Sequence, residues 1–155
     1  MTIAVDTNIL LDILIPGSAE LQHTRQRLIA SLEAGPVVIS EVVYAELAAR
    51  FGSQEELDQF LQETGLRLER SLPAALFRAG LAWATYIRRR SNQMQCPRCG
   101  QPQEVRCQRC GVVLRLRQHM IADFLIGAHA VMQADGLLTR DRGYYSTYFP
   151  ELRLD

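Results

Sequence analysis

Residues Thr2 to Val5 form a short, largely apolar and partly β-branched run that stops at a carboxylate, Asp6. Such a brief run reads as a buried strand. Thr7 and Asn8 follow, and then Ile9, Leu10, Ile13 and Leu14 fall at helical spacing. A buried strand that gives way at once to a helix belongs to a parallel sheet. An acid at that junction sits on the carboxyl edge, where open α/β folds bind ligands. Asp6 therefore has two readings, a cap for the following helix or a functional carboxylate.

The rest of the chain repeats the alternation. Pro16-Gly17 ends the first helix, and Ser18 can cap a second one that runs to about Glu33. Val37-Val38-Ile39 is a second short apolar strand, after which Ser40 caps a helix carrying Val42, Val43, Ala45 and Leu47. Ser53 and Glu56 make a capping box for a helix to about Glu63. Leu66 to Leu68 reads as a third strand, and Ser71 with Pro73 opens a long helix to about Arg90. Helical spacing returns from Gln118 to Gln133, and Gly136 to Thr139 reads as a strand. Arg140 to Tyr148 reads as a loop and Leu152 to Leu154 as an edge strand. The expected fold is a three-layer α/β/α sandwich on a short-stranded, about five-stranded parallel sheet. One domain spans residues 1–155, in line with its length, with an insertion over 94–116.

All four cysteines lie in that insertion, as Cys96-Pro97-Arg98-Cys99-Gly100 and Cys107-Gln108-Arg109-Cys110-Gly111. Two C-x-x-C-G turns can aim four thiolates at one centre, the tetrahedral sulfur set of structural Zn²⁺; iron accepts the same geometry. Charge is as uneven as the cysteines. Every basic residue is Arg, and Arg88, Arg89, Arg90, Arg98, Arg106, Arg109, Arg115 and Arg117 face a single acid, Glu104, over residues 88–117. Eight arginines against one glutamate leave +7 there, and neutrality of the whole leaves −7 elsewhere. The arginines either grip a phosphate backbone or keep a small knuckle soluble. No apolar run approaches the ~20 residues of a membrane span, and a signal-peptide pattern is lacking. A cytoplasmic, membrane-free chain is expected.

Further acids follow the other strands. Glu46 lies on the helix after Val37–Ile39, Asp123 interrupts the apolar run Met120–Ala128, and Asp141 comes directly after Leu137-Leu138-Thr139. Glu41 is expected on the solvated side of its helix. A carboxylate among apolar neighbours is costly unless it is paired or holds a metal.

The order Val-Asp-Thr-Asn-Ile-Leu, Ser40-x5-Glu46, Asp123-x-x-Ile126-x-Ala128 and Leu138-Thr139-x-Asp141 resembles the PIN-domain nucleases, most of all the VapC-like toxin ribonucleases. The resemblance covers the chain apart from the cysteine insert. It implies Mg²⁺- or Mn²⁺-dependent endonuclease activity on RNA, with Asp6, Glu46, Asp123 and Asp141 as the acids and Asn8 and Thr139 in support. Asp6, Asp123 and Asp141 are the expected metal ligands. A toxin of this type implies a small antitoxin partner and a homodimer through the helices before residue 70. Ribosomal-RNA-processing relatives that combine this fold with a zinc ribbon leave an RNA-maturation role open, and DNA remains open as substrate. The rival class is a non-catalytic nucleic-acid-binding or scaffold module that works through the zinc knuckle.

Auxiliary candidates surround this set. His119, one helical turn before Asp123, is either a surface residue or a contact to substrate. Arg140 and Arg142 flank Asp141 and can steer phosphate, as can Arg98 and Arg109 in the insert. Tyr144, Tyr145 and Tyr148 either stack bases or pack the carboxyl-terminal segment. Trp83 reads as core, and His23 and His129 carry no separate signal.

Overall fold

β1 (Ile3–Val5) lies inside a four-stranded, wholly parallel sheet of order β3-β2-β1-β8. A computed structural model describes residues 1–15, 17, 19–89, 94–95, 102–114 and 121–155 of the chain. β2 is Val37–Ile39, β3 Leu66–Leu68 and β8 Gly136–Leu138. Every residue of β1, β2 and β8 is buried, so both faces of the sheet are covered, which is why these strands read as unbroken apolar runs. In β3, at the edge, Leu66 alone is buried. Ile3 pairs with Val37 on one side and Gly136 on the other, so the first and last strands are neighbours. A parallel bridge between Leu137 and Leu154 supplies the fifth position that the sequence suggests.

Helices α1 (Thr7–Leu14), α2 (Leu21–Ala34), α3 (Glu41–Ala48), α4 (Gln54–Thr64), α5 (Pro73–Arg89), α6 (Ile121–Gln133) and α7 (Arg142–Tyr148) flank the sheet. Ser40 and Ser53 cap α3 and α4 through Val43 N and Glu56 N. The Glu56 carboxylate reaches back to Gly52 N at 2.9 Å, one residue earlier than a strict capping box. α5 and α6 are antiparallel: Leu72 N meets Gln133 Oε1 at one end, and Trp83 and Tyr86 pack edge-on or tilted against Phe124 at the other. Between them the chain forms small antiparallel pairs, β4 (Met94–Gln95) with β5 (Pro102–Gln103) and β6 (Val105–Arg106) with β7 (Val113–Leu114). Among the described residues no helix is long and apolar enough to cross a membrane.

Two expectations are corrected. Residues 142–148 form a helix rather than a loop: the Asp141 side chain caps it through Tyr144 N, and Tyr144 and Tyr145 bury themselves against the core. Their apolar drive is invisible to helical periodicity because the run of seven residues is only about two turns long. Glu41 is not a solvated acid either. It accepts hydrogen bonds from Ser71 N and Ser71 Oγ, the latter at 2.8 Å. Ser71 Oγ also lies 3.2 Å from Nδ1 of the buried His129. Since the hydroxyl proton goes to Glu41, the ring nitrogen donates, and burial holds His129 below its ordinary pKa. Trp83 packs beside the core as expected.

Candidate functional site

The carboxyl edge of the sheet opens into a pocket of 430 Å³ whose lining includes Asp6, Glu46, Asp123 and Asp141. The four acids come from four places in the chain, and the topology delivers each. Asp6 ends β1, and Asp141 follows β8, which pairs with β1 from Ile3↔Gly136 to Val5↔Leu138. Glu46 projects from α3, which follows β2, and Asp123 from the first turn of α6.

Asp6 is 5 % exposed. It occupies the position before α1 yet makes no side-chain cap bond, which removes the bland reading. Its Oδ2 accepts instead from Thr139 Oγ1 at 2.6 Å and Asn8 Nδ2 at 2.7 Å, and Tyr145 adds a phenolic hydrogen bond. Thr139 Oγ1 in turn accepts from Asn8 Nδ2 at 3.2 Å and Asp141 N at 3.0 Å. Asn8 Oδ1 accepts from Arg140 N at 3.3 Å. One buried hydroxyl thus ties two of the acids and the supporting asparagine together.

Burial pushes the Asp6 carboxyl above its ordinary 3.8, and the charge on Asp123 pushes the same way. The donors from Thr139 and Tyr145 offset this in part. Among the described residues no Arg or His forms an ion pair with Asp6. A buried carboxylate facing another acid without a cation is electrostatically incomplete. Burial and the charges of Asp6 and Asp123 raise the Tyr145 phenol far above its usual range, which keeps it protonated as a donor.

The remaining acids are more open. Glu46 is exposed, and its Oε2 accepts from Thr7 Oγ1. Asp123 is half-buried, and Asp141 is exposed with Oδ1 committed to Tyr144 N. The four share a pocket without closing on one point: among the described residues no three His, Cys, Asp or Glu side chains stand as a ready-made metal cage. Their chemistry, all hard oxygen donors around a buried anion, fits Mg²⁺ or Mn²⁺ rather than a soft metal.

Of the auxiliary candidates, Arg140 is engaged. Its Nε lies 3.2 Å from Oδ2 of the buried Asp12, which also accepts from Thr24 Oγ1. Arg142 is exposed in the first turn of α7. Tyr144 and Tyr148 pack on Phe124 at 5.2 Å, so packing prevails over base stacking. Cys96, Arg98, Cys99 and His119 lie outside the described residues. In the sequence alone, Arg50 is not singled out and Tyr145 has only a stacking or packing role. Arg50, just past α3, is a surface arginine in any pattern, and the link from Tyr145 to Asp6 is purely tertiary.

In the insert, Cys107 and Cys110 sit on the β6–β7 hairpin. Cys107 N bonds Val112 O and Gly111 N bonds Cys107 O, both at 2.8 Å. Gly111 takes φ +73°, a conformation that favours glycine. The amides of Cys110 and Arg109 turn towards the Cys107 sulfur and hold its thiol below the usual range.

No protein-family model matches the sequence, and neither does any curated protein. Solved structures do match in fold. VapBC2 from Rickettsia felis, bound to a DNA fragment from their promoter, aligns at TM-score 0.60 and 18% identity, covering 100% of this chain and 98% of that one. VapBC-1 from nontypeable Haemophilus influenzae aligns at 0.61 and 18%, covering 100% and 97%. VapC20 from Mycobacterium tuberculosis, a Sarcin-Ricin loop cleaving toxin, aligns at 0.57 and 19%, covering 97% and 98%. With its acids gathered at the carboxyl edge of a parallel sheet, the chain shares the fold of the VapC PIN-domain toxins from end to end.

Proposed function

We propose that the chain is a divalent-metal-dependent endoribonuclease of the VapC-like kind. The observation that carries this reading is Asp6, a buried carboxylate that among the described residues has no cation paired with it and faces a pocket also lined by Asp123, Asp141 and Glu46. Asp6, Asp123 and Asp141 would hold Mg²⁺ or Mn²⁺, with Glu46 completing the set directly or through water. A cation bound there lowers the pKa of water and neutralises charge on the leaving oxygen of a phosphodiester. Thr139, Asn8 and Tyr145 fix the Asp6 carboxylate so that its geometry does not drift as substrate enters. Asn8 also holds the Arg140 amide, and with it the segment that carries Asp141.

In the insert, Cys96, Cys99, Cys107 and Cys110 would bind one structural Zn²⁺. The turned-in amides at Cys107 favour the thiolate such a site requires. VapBC complexes among the fold matches support a small antitoxin as partner.

The reading is tested by RNA cleavage with Mg²⁺ or Mn²⁺, with and without EDTA, on the wild type and Asp6→Asn. Metal-dependent cutting that Asp6→Asn abolishes is expected. Firm RNA binding with no metal-dependent cutting would replace it with the binding-module reading.

A further inference from the structure

Among the described residues lining the acidic pocket there is one cation, Arg50. It lies just beyond the end of α3, where its backbone N bonds Leu47 O at 2.8 Å, and its side chain is exposed. Arg142, exposed on α7, is not among the residues that line the pocket, and two other nearby arginines are engaged. Arg140 is locked on Asp12, and Arg27 Nη2 bonds Thr139 O at 3.3 Å and also Asp155 O. Arg50 forms no ion pair with any described residue, although four carboxylates line the same pocket.

We propose that Arg50 is a substrate-binding residue that grips a backbone phosphate of the RNA strand beside the bond being cut. The inference rests on the nuclease reading and names how that site holds its substrate. A metal-free pocket of carboxylates repels a polyanion, so strand binding needs a fixed cation at the rim. A guanidinium is suited to this because its planar fork matches two phosphate oxygens. Its exposed rim position, away from the buried Asp6, assigns it to a flanking phosphate rather than the one attacked. It therefore contributes equally to ground and transition states and governs KM. The competing role is a positive charge offsetting the carboxyl end of α3, which would affect stability and leave RNA affinity alone.

The test uses the full chain with Ca²⁺ in place of Mg²⁺ and a short fluorescein-labelled 2′-O-methyl RNA oligomer, read by fluorescence anisotropy over a salt series. Arg50→Ala should weaken binding about tenfold, allowing for solvent screening at an exposed site. It should also reduce the slope of log Kd against log salt by about 0.7, the value for one phosphate contact on a single strand. Arg50→Lys should keep the slope while losing part of the affinity, because a point charge replaces the fork. In cleavage assays the loss in kcat/KM should fall on KM. An unchanged slope in Arg50→Ala, a wild type that does not bind the oligomer, or a loss matched by a drop in Tm would each overturn the proposal. A wild type that binds the oligomer but cuts no RNA with Mg²⁺ or Mn²⁺ would sink the nuclease reading, and the slope would still decide the role of Arg50.

Discussion

Replacing Thr139 with valine removes one hydroxyl from a fully buried position and changes almost nothing in volume. That hydroxyl donates to Asp6 Oδ2 at 2.6 Å and accepts from Asn8 Nδ2 and Asp141 N. Asn8 Nδ2 keeps its 2.7 Å bond to Asp6, and Asp141 N lies near the surface where water can replace the acceptor. The dominant loss is therefore the bond to the Asp6 carboxylate, about 1.5–3 kcal/mol for a charged acceptor. A chain of this size shifts by about 2–4 °C per kcal/mol, so Tm should fall by roughly 3–12 °C. The effect carries a pH signature. Thr139 stabilises the ionised form of Asp6, so its contribution is present above the folded-state pKa and lost as pH falls through it. That pKa lies above the ordinary 3.8. The difference in Tm between wild type and Thr139→Val should accordingly narrow between about pH 7 and about pH 4. Thr139→Ser, which keeps the hydroxyl, should recover most of the loss at the higher pH. Calorimetry on metal-free protein across that range decides it. A Thr139→Val protein as stable as wild type, or a deficit independent of pH, would refute the network described around Asp6.

Four other outcomes follow from named contacts. Asp6→Asn should cut metal-dependent cleavage by more than the roughly 10–100-fold lost when a mere supporting partner of a ligand is removed. The same variant should raise the Tm of metal-free protein: a carboxyl with a raised folded pKa loses stability as pH rises through that pKa, so the gain appears at neutral pH and vanishes in acid, as calorimetry would show. Gly127→Ala should cost about 1–3 kcal/mol by overpacking, because the new Cβ would lie 2.5 Å from Phe149 Cε2 and 3.0 Å from Tyr145 Cδ1; chemical denaturation measures it. Cys107→Ser with Cys110→Ser should take bound zinc from about one per chain to none by elemental analysis, with the circular dichroism of the α/β body preserved.

The acids were legible in the sequence because each stands beside a short apolar strand or interrupts an apolar helix, where a carboxylate is anomalous. The same anomaly marks Asp6, whose neighbours Ile3, Ala4 and Val5 are all buried. What the sequence could not show is pairwise and distant. The Glu41–Ser71–His129 chain joins α3, the connection before α5, and α6, up to 88 positions apart, and nothing in the spacing of any one of them hints at the other two. Arg50 looks like every other arginine until the pocket is assembled around it. Tyr145 reads as packing, which it is, since its ring is 1 % exposed. Its bond to Asp6 depends on α7, whose seven residues are too few to display helical periodicity.

The pairing of the first strand with the eighth has a consequence for timing. Asp6 leaves the ribosome more than 130 residues before Thr139 and Asp141, which are bonded to it directly or through one hydroxyl. A nascent chain, or one truncated anywhere before β8, therefore lacks Asp141 and leaves Asp6 without its Thr139 hydroxyl. The acid-lined pocket is incomplete until β8 and the residues after it have paired with β1.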